Sequence, residues 1–187
     1  YPILNIMVDL FNYTRRASSV AHIGALDLGG DNPIRIQSMT TTNTNDTEAC
    51  VRQAEEIIKA GGELVRFTTQ GSREAENMKN INAGIRADGY QTPLVADVHF
   101  NPNVADVAAL YCEKVRVNPG NYVDPARKFI KQEYTDEEYA HELQKIEERF
   151  VPFLNICKEN HTAIRIGVNH GSLSDRIRNR YGDTPEG

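Results

Sequence analysis

The sequence has no apolar run that approaches the ~20 residues needed to cross a bilayer. Its first residues lack the charged start and small-residue cleavage site of a secretory signal. Both absences predict a cytoplasmic or organelle-stromal protein with no membrane partner. Basic residues are also in deficit, with 21 Lys and Arg against 26 Asp and Glu, a net charge of −5. That balance argues against a nucleic-acid surface, since binding to phosphate backbones draws on excess positive charge. Any basic site must be local. Cysteine is scarce: Cys50, Cys112 and Cys157 lie far apart in no metal-ligand spacing, and an odd count does not suggest a disulfide framework. They read as structural thiols. No initiator methionine opens the chain, and "YGDTPEG" closes it on a helix-start signal with no helix after it. The expectation is a piece of a longer protein.

What is present is a rhythm. With 40% hydrophobic and 25% charged residues over 187 positions, the chain has material for one sizeable core. From Pro33 onward short apolar runs alternate with amphipathic ones. "PIRIQSM" (33–39), "ELVRFTT" (63–69), "TPLVADV" (92–98), "KVRVN" (114–118) and "TAIRIGVN" (162–169) read as strands. Helices are predicted over 45–61, 72–88 and 102–112, and at the C-terminus over "SLSDRIRNRYG". Asn45 or Asp46 is the expected cap of the first, and Gly61-Gly62 its end. The crossover before the fifth strand is long and acidic, "TDEEYAHELQKIEERFVPFLNICKEN", with a Thr135–Glu138 capping box. Strands that each precede a helix predict a parallel sheet. No Gly-rich dinucleotide fingerprint follows the first strand, and the spacing is short and regular. The predicted fold is therefore α/β, a TIM (β/α)8-type barrel with about its first five βα units present. Residues 33–187 form the barrel portion. Residues 1–32 form an extension in which "SSVAHIGALDLGGDN" makes a small hairpin over one end.

In such a barrel, chemistry gathers where strands end. Parallel strands covered on both faces should be nearly all apolar, yet three carry an arginine between apolar neighbours: Arg66, Arg116 and Arg165. Burying an unpaired guanidinium costs several kcal/mol. Each arginine therefore needs an anion. Internal pairs with Asp97 or Glu63 are one answer, but three arginines outnumber the nearby acids. A shared phosphate or diphosphate is the other, matched to the planar fork of arginine. Arg35, earlier in its strand, reads as structural. Asp97 and His99 share a strand face, and together can bind hydroxyls or move a proton; a satisfied core histidine is the alternative. Asn118, Asn121 and Asn169 offer neutral donors and acceptors, and Gly120 and Gly171 allow close backbone approach. The Ser and Thr cluster at 38–42 either binds a ligand or shapes a turn.

The strings "PIRIQSMTTTNTND", "ELVRFTT", "PLVADVHFN", "KVRVNPGN" and "IRIGVNHGSLSDRI" resemble, in order and spacing from about Arg15 to Gly187, the N-terminal barrel of the hydroxymethylbutenyl diphosphate synthase family. These are GcpE-type oxidoreductases of the methylerythritol phosphate pathway of isoprenoid biosynthesis. The long crossover and "NHGSLSDRI" resemble the large three-domain form. The resemblance implies a cyclic diphosphate substrate, 2-C-methyl-D-erythritol 2,4-cyclodiphosphate, opened by a two-electron reduction that expels water. It implies Arg66, Arg116, Arg165, Asn118 and Asn169 as substrate ligands, and Asp97 and His99 as the catalytic pair, more orienting than sole acid or base. It also implies ferredoxin or flavodoxin as electron donor, a homodimer when full length, and a [4Fe-4S] cluster held by three cysteines and a glutamate of a C-terminal domain. The three cysteines here match none of those ligands, so this chain is expected to bind the substrate without reducing it. Two rivals stand beside that reading. One is a pterin-binding transferase barrel similar to dihydropteroate synthase, and the other is a non-catalytic phospholigand-binding module.

Overall fold

The structure is a computed structural model that describes residues 16–99, 101–123, 134–167, 173–182 and 184–185. Its elements follow in chain order. An antiparallel hairpin, β1 (Ala21–Ile23) and β2 (Leu26–Leu28), comes first. Then come β3 (Gln37–Met39), α1 (Thr47–Lys59), β4 (Leu64–Thr68), α2 (Ser72–Ala87), β5 (Leu94–Asp97) and α3 (Pro102–Ala108). β6 (Lys114–Val117), a 3-10 turn (Pro119–Asn121), α4 (Asp136–Glu159), β7 (Ala163–Ile166) and α5 (Asp175–Tyr181) complete the order.

β3 to β7 form one parallel sheet in sequential order. Their outward residues Val65, Phe67, Leu94, Ala96, Val115 and Val117 share one buried cluster with Ala54, Met78, Ile81, Ile85, Val104 and Phe153 of the helices. The helices thus cover a single face. A doubly wound sheet would reverse its strand order and carry helices on both faces, so the arrangement is that of a barrel wall. Among the described residues the sheet is open, with β3 and β7 as its edges.

Local signals set the elements. Asp46, not Asn45, caps α1 by accepting from the Ala49 amide at 3.0 Å, and Gly61 follows the helix at φ 99°. The α4 capping box forms as expected, with Thr135 Oγ1 accepting from the Glu138 amide and Glu138 Oε2 from the Thr135 amide. Some boundaries differ from the sequence reading. The first strand begins at Gln37 rather than Pro33, because Glu63 Oε2 accepts the Ile36 amide at 2.9 Å in place of a neighbouring strand. α3 ends at Ala108 rather than 112, its tail tightening into turns that bond Leu110 to Val107 and Tyr111 to Ala108. β7 ends at Ile166; positions 168–169 of the expected strand lie outside the described residues.

The hairpin lies at the N-terminal end of the strands. Ile23 is buried with Leu64 and Val95, and Leu26, Leu28 and Ala163 pack around them. Arg35 ties it there, donating to the Asp27 carbonyl and to Glu63, each at 2.9 Å. The opposite, C-terminal end is left for the site.

Candidate functional site

Because Val65, Phe67, Ala96, Val115 and Ile164 face the helices, the alternate positions face the barrel interior. The register stacks them in rows. Met39, Arg66, Val95, Lys114 and Ala163 form one row across the five strands. Thr68, Asp97, Arg116 and Arg165 form the next, nearer the strand ends. The three arginines singled out in the sequence therefore share one face with Asp97, as strand parity predicts.

Their contacts leave charge uncompensated. Asp97 is only 5% exposed and meets Arg66 Nε at 3.5 Å and Arg116 Nη1 at 3.4 Å. Charge-assisted N–H···O bonds run at about 2.7–2.9 Å, so both contacts are long. Arg66 also points Nε and Nη2 at the Met39 thioether, at 3.2 and 3.1 Å, and thioether sulfur is a weak acceptor. Arg116 Nη2 donates to the Gly167 carbonyl at 2.8 Å. A Cβ on Gly167 would overlap Arg116 Nε, so this glycine is what gives the guanidinium its place. Arg165, on the edge strand, is exposed and makes no ion pair with the described residues. His99 stands beside Asp97, with Nδ1 3.9 Å from Oδ1.

A fourth cation was missed in the sequence. Lys114 lies two residues before Arg116, on the same face, and is 7% exposed. No ion pair reaches its ammonium among the described residues. Burial pushes its pKa below the ordinary lysine value, and the positive charges of Arg165 and Arg66 push the same way. The signal was legible: the parity that placed Arg116 also places Lys114. On this face, Asp97 is the single carboxylate opposite four cations among the described residues.

The loops complete the rim. Asn118 is buried and opens the 3-10 turn, where Gly120 lies against both Asn118 and Ser174, the cap of α5. The Thr cluster mainly shapes its loop. The Thr41 and Thr42 amides donate to Gln53 Oε1, Thr42 Oγ1 contacts Cys50 Sγ, and Thr44 Oγ1 donates to the Thr68 carbonyl. Asn169, His170, Gly171 and the Asn121 side chain lie outside the described residues. A cleft of about 430 Å³ beside Lys79, Asn82 and His161 sits at the hairpin end, away from the strand ends where barrel chemistry gathers.

The thiols do not fit an iron–sulfur cluster. Cys50, Cys112 and Cys157 are buried in the helix-side core, away from the cationic face. Burial pushes all three thiols up, Cys157 to about 12, whereas cluster ligands are thiolates. No group of three His, Cys, Asp or Glu among the described residues is placed to hold a metal.

A family model described as the GcpE TIM-barrel domain matches residues 18–187. The chain belongs to that family. Membership carries the barrel fold to the open five-stranded wall, and it disfavours the pterin-binding alternative. Curated relatives of this GcpE barrel include proteins of Phocaeicola vulgatus (77% identical over 180 residues), Parabacteroides distasonis (67% over 177) and Akkermansia muciniphila (52% over 177). Each is named 4-hydroxy-3-methylbut-2-en-1-yl diphosphate synthase (flavodoxin). The alignments cover 96%, 95% and 95% of this chain but only 29%, 29% and 30% of the relatives. A solved dihydropteroate synthase from Vibrio fischeri is 14% identical with a TM-score of 0.43, over 86% of this chain and 72% of that one, too slight a likeness to bear on fold or function.

Proposed function

We propose that this GcpE barrel is the substrate-binding part of an iron–sulfur oxidoreductase that opens 2-C-methyl-D-erythritol 2,4-cyclodiphosphate to 4-hydroxy-3-methylbut-2-enyl diphosphate. Residues 33–187 would form the binding portion and residues 1–32 an extension at its N-terminal end. The observation that carries the reading is the charge imbalance of the strand ends: among the described residues, Arg66, Lys114, Arg116 and Arg165 face one carboxylate, Asp97. A diphosphate supplies the missing negative charge, and the planar guanidinium groups suit its oxygens. The relatives' printed name, a diphosphate synthase with flavodoxin in parentheses, supports a diphosphate product and flavodoxin as electron donor.

In this reading Arg66, Arg116 and Arg165 hold the diphosphate, and Asn118 with Asn169 fixes its orientation. Asp97 has two roles. Its carboxylate keeps Arg66 and Arg116 aimed at the ligand, and beside His99 it orients the substrate hydroxyl that leaves as water. The electrons come from outside this chain, as would the ligands of a [4Fe-4S] cluster, since the three cysteines do not fit one. A cytoplasmic setting and a homodimeric whole protein belong to the same proposal; no helix among the described residues is long and apolar enough to cross a membrane.

Calorimetry on the full-length protein tests it. Arg116→Met should weaken cyclodiphosphate binding by about 10- to 100-fold, the equivalent of one or two charge-assisted hydrogen bonds. Unchanged affinity would remove the arginine cluster as the binding site.

A further inference from the structure

Lys114 is the strand residue least explained by the fold. It is nearly fully buried, yet its row holds only Met39, Arg66, Val95 and Ala163, none of which can neutralise it. Among the described residues, the charged groups in its row and the next are Arg66 on β4, Arg116 on its own strand, Arg165 on β7, and Asp97 on β5 one row nearer the strand ends. Asp97 is already shared between Arg66 and Arg116. The hairpin below contributes Ile23, Leu26 and Leu28, all apolar. A lysine at 7% exposure with two cationic neighbours and no ion pair among the described residues favours an anion that enters from the strand-end side, or loss of its proton.

We infer that Lys114 is a further substrate-binding residue, a point charge on the floor of the site that receives a phosphate oxygen from below while the arginines grip the diphosphate from the strand ends. The inference rests on the diphosphate reading above and extends it by one ligand. Ligand and proton are then coupled. Without ligand the site holds the amine below its usual pKa; a phosphate beside it restores the ammonium, so binding at alkaline pH takes up a proton.

The test uses the full-length protein, with 2-C-methyl-D-erythritol 2,4-cyclodiphosphate and inorganic diphosphate as probes. Calorimetry in buffers of different ionisation enthalpy reads affinity and proton uptake together. Lys114→Met should lower affinity for both probes by about 10- to 100-fold and abolish the alkaline proton uptake. Lys114→Arg should recover much of the affinity without the uptake. A purely structural lysine would leave the uptake unchanged in Lys114→Met. If the wild-type protein binds neither probe, the diphosphate reading itself falls. If it binds both, but Lys114→Met binds as tightly with the same proton uptake, Lys114 is not a ligand and the arginine site stands without it. Should Lys114→Met fail to fold, absence of proton uptake in the wild-type protein at alkaline pH overturns the inference by itself.

Discussion

At the residue scale, the site depends on two positions with opposite demands. Gly167 must stay small, because a methyl group there occupies the place of Arg116 Nε. Gly167→Ala should therefore reproduce much of the Arg116→Met binding defect with every charge still present. Calorimetry shows whether it does; an unaffected affinity would mean that the guanidinium has another place to go. Lys114 instead carries a cost that the ligand relieves. Its pKa is lower folded than unfolded, so below the folded value both states are protonated and the cost is fully present. As pH rises from there towards the ordinary lysine value, the folded state releases its proton first and this contribution makes the ligand-free protein more stable. Thermal melts across that window should show the rise in the wild-type protein, and Lys114→Met should flatten it. Most of the site was legible at this scale, since Arg66, Asp97, Arg116 and Arg165 follow from strand parity alone. Lys114 was overlooked because a lysine at the start of a strand reads as a solvent-facing end. Its burial is a tertiary fact that its place at a strand start does not announce.

At the element scale, local chemistry announced helices better than strand limits. Capping residues act over three positions, so Asp46, Thr135 and Glu138 could be read before any tertiary contact was known. Strand limits depend on the neighbour: the ladder starts at Gln37 because, although the Ile36 carbonyl accepts the Leu64 amide, the Ile36 amide goes to the Glu63 carboxylate instead of to β4. The α4 cap has a measurable consequence. α4 packs Phe150 and Phe153 on Tyr122, which follows the 3-10 turn that Asn118 opens, so this helix backs the site's rim several turns beyond its cap. Thr135→Ala removes one hydrogen bond of the box and should cost about 1 kcal/mol, within the range of about 0.5–2 for such caps. Denaturant titration should show the loss, with cyclodiphosphate affinity little changed. A large affinity loss would mean that α4 sets the site's geometry and not only its stability.

At the scale of the whole molecule, the five-stranded wall has two unsatisfied edges. β3 and β7 each pair on one side only among the described residues, and Ile34, Ile36 and Ile166 are 81%, 60% and 55% exposed. A closed barrel of the family's type has no edges, and its interior is filled by side chains from the full circle of strands. Unpaired backbone flanked by bare isoleucines templates further pairing. Residues 1–187 produced alone should therefore self-associate with concentration and bind a hydrophobic dye. The full-length protein, with those edges paired, should stay at one fixed assembly state across the same concentrations and bind little dye. Sedimentation velocity over a concentration series separates the two cases. A monodisperse, thermally stable monomer of residues 1–187 would show that the wall closes on itself, and the strand-end cations would then face a pocket complete within this chain.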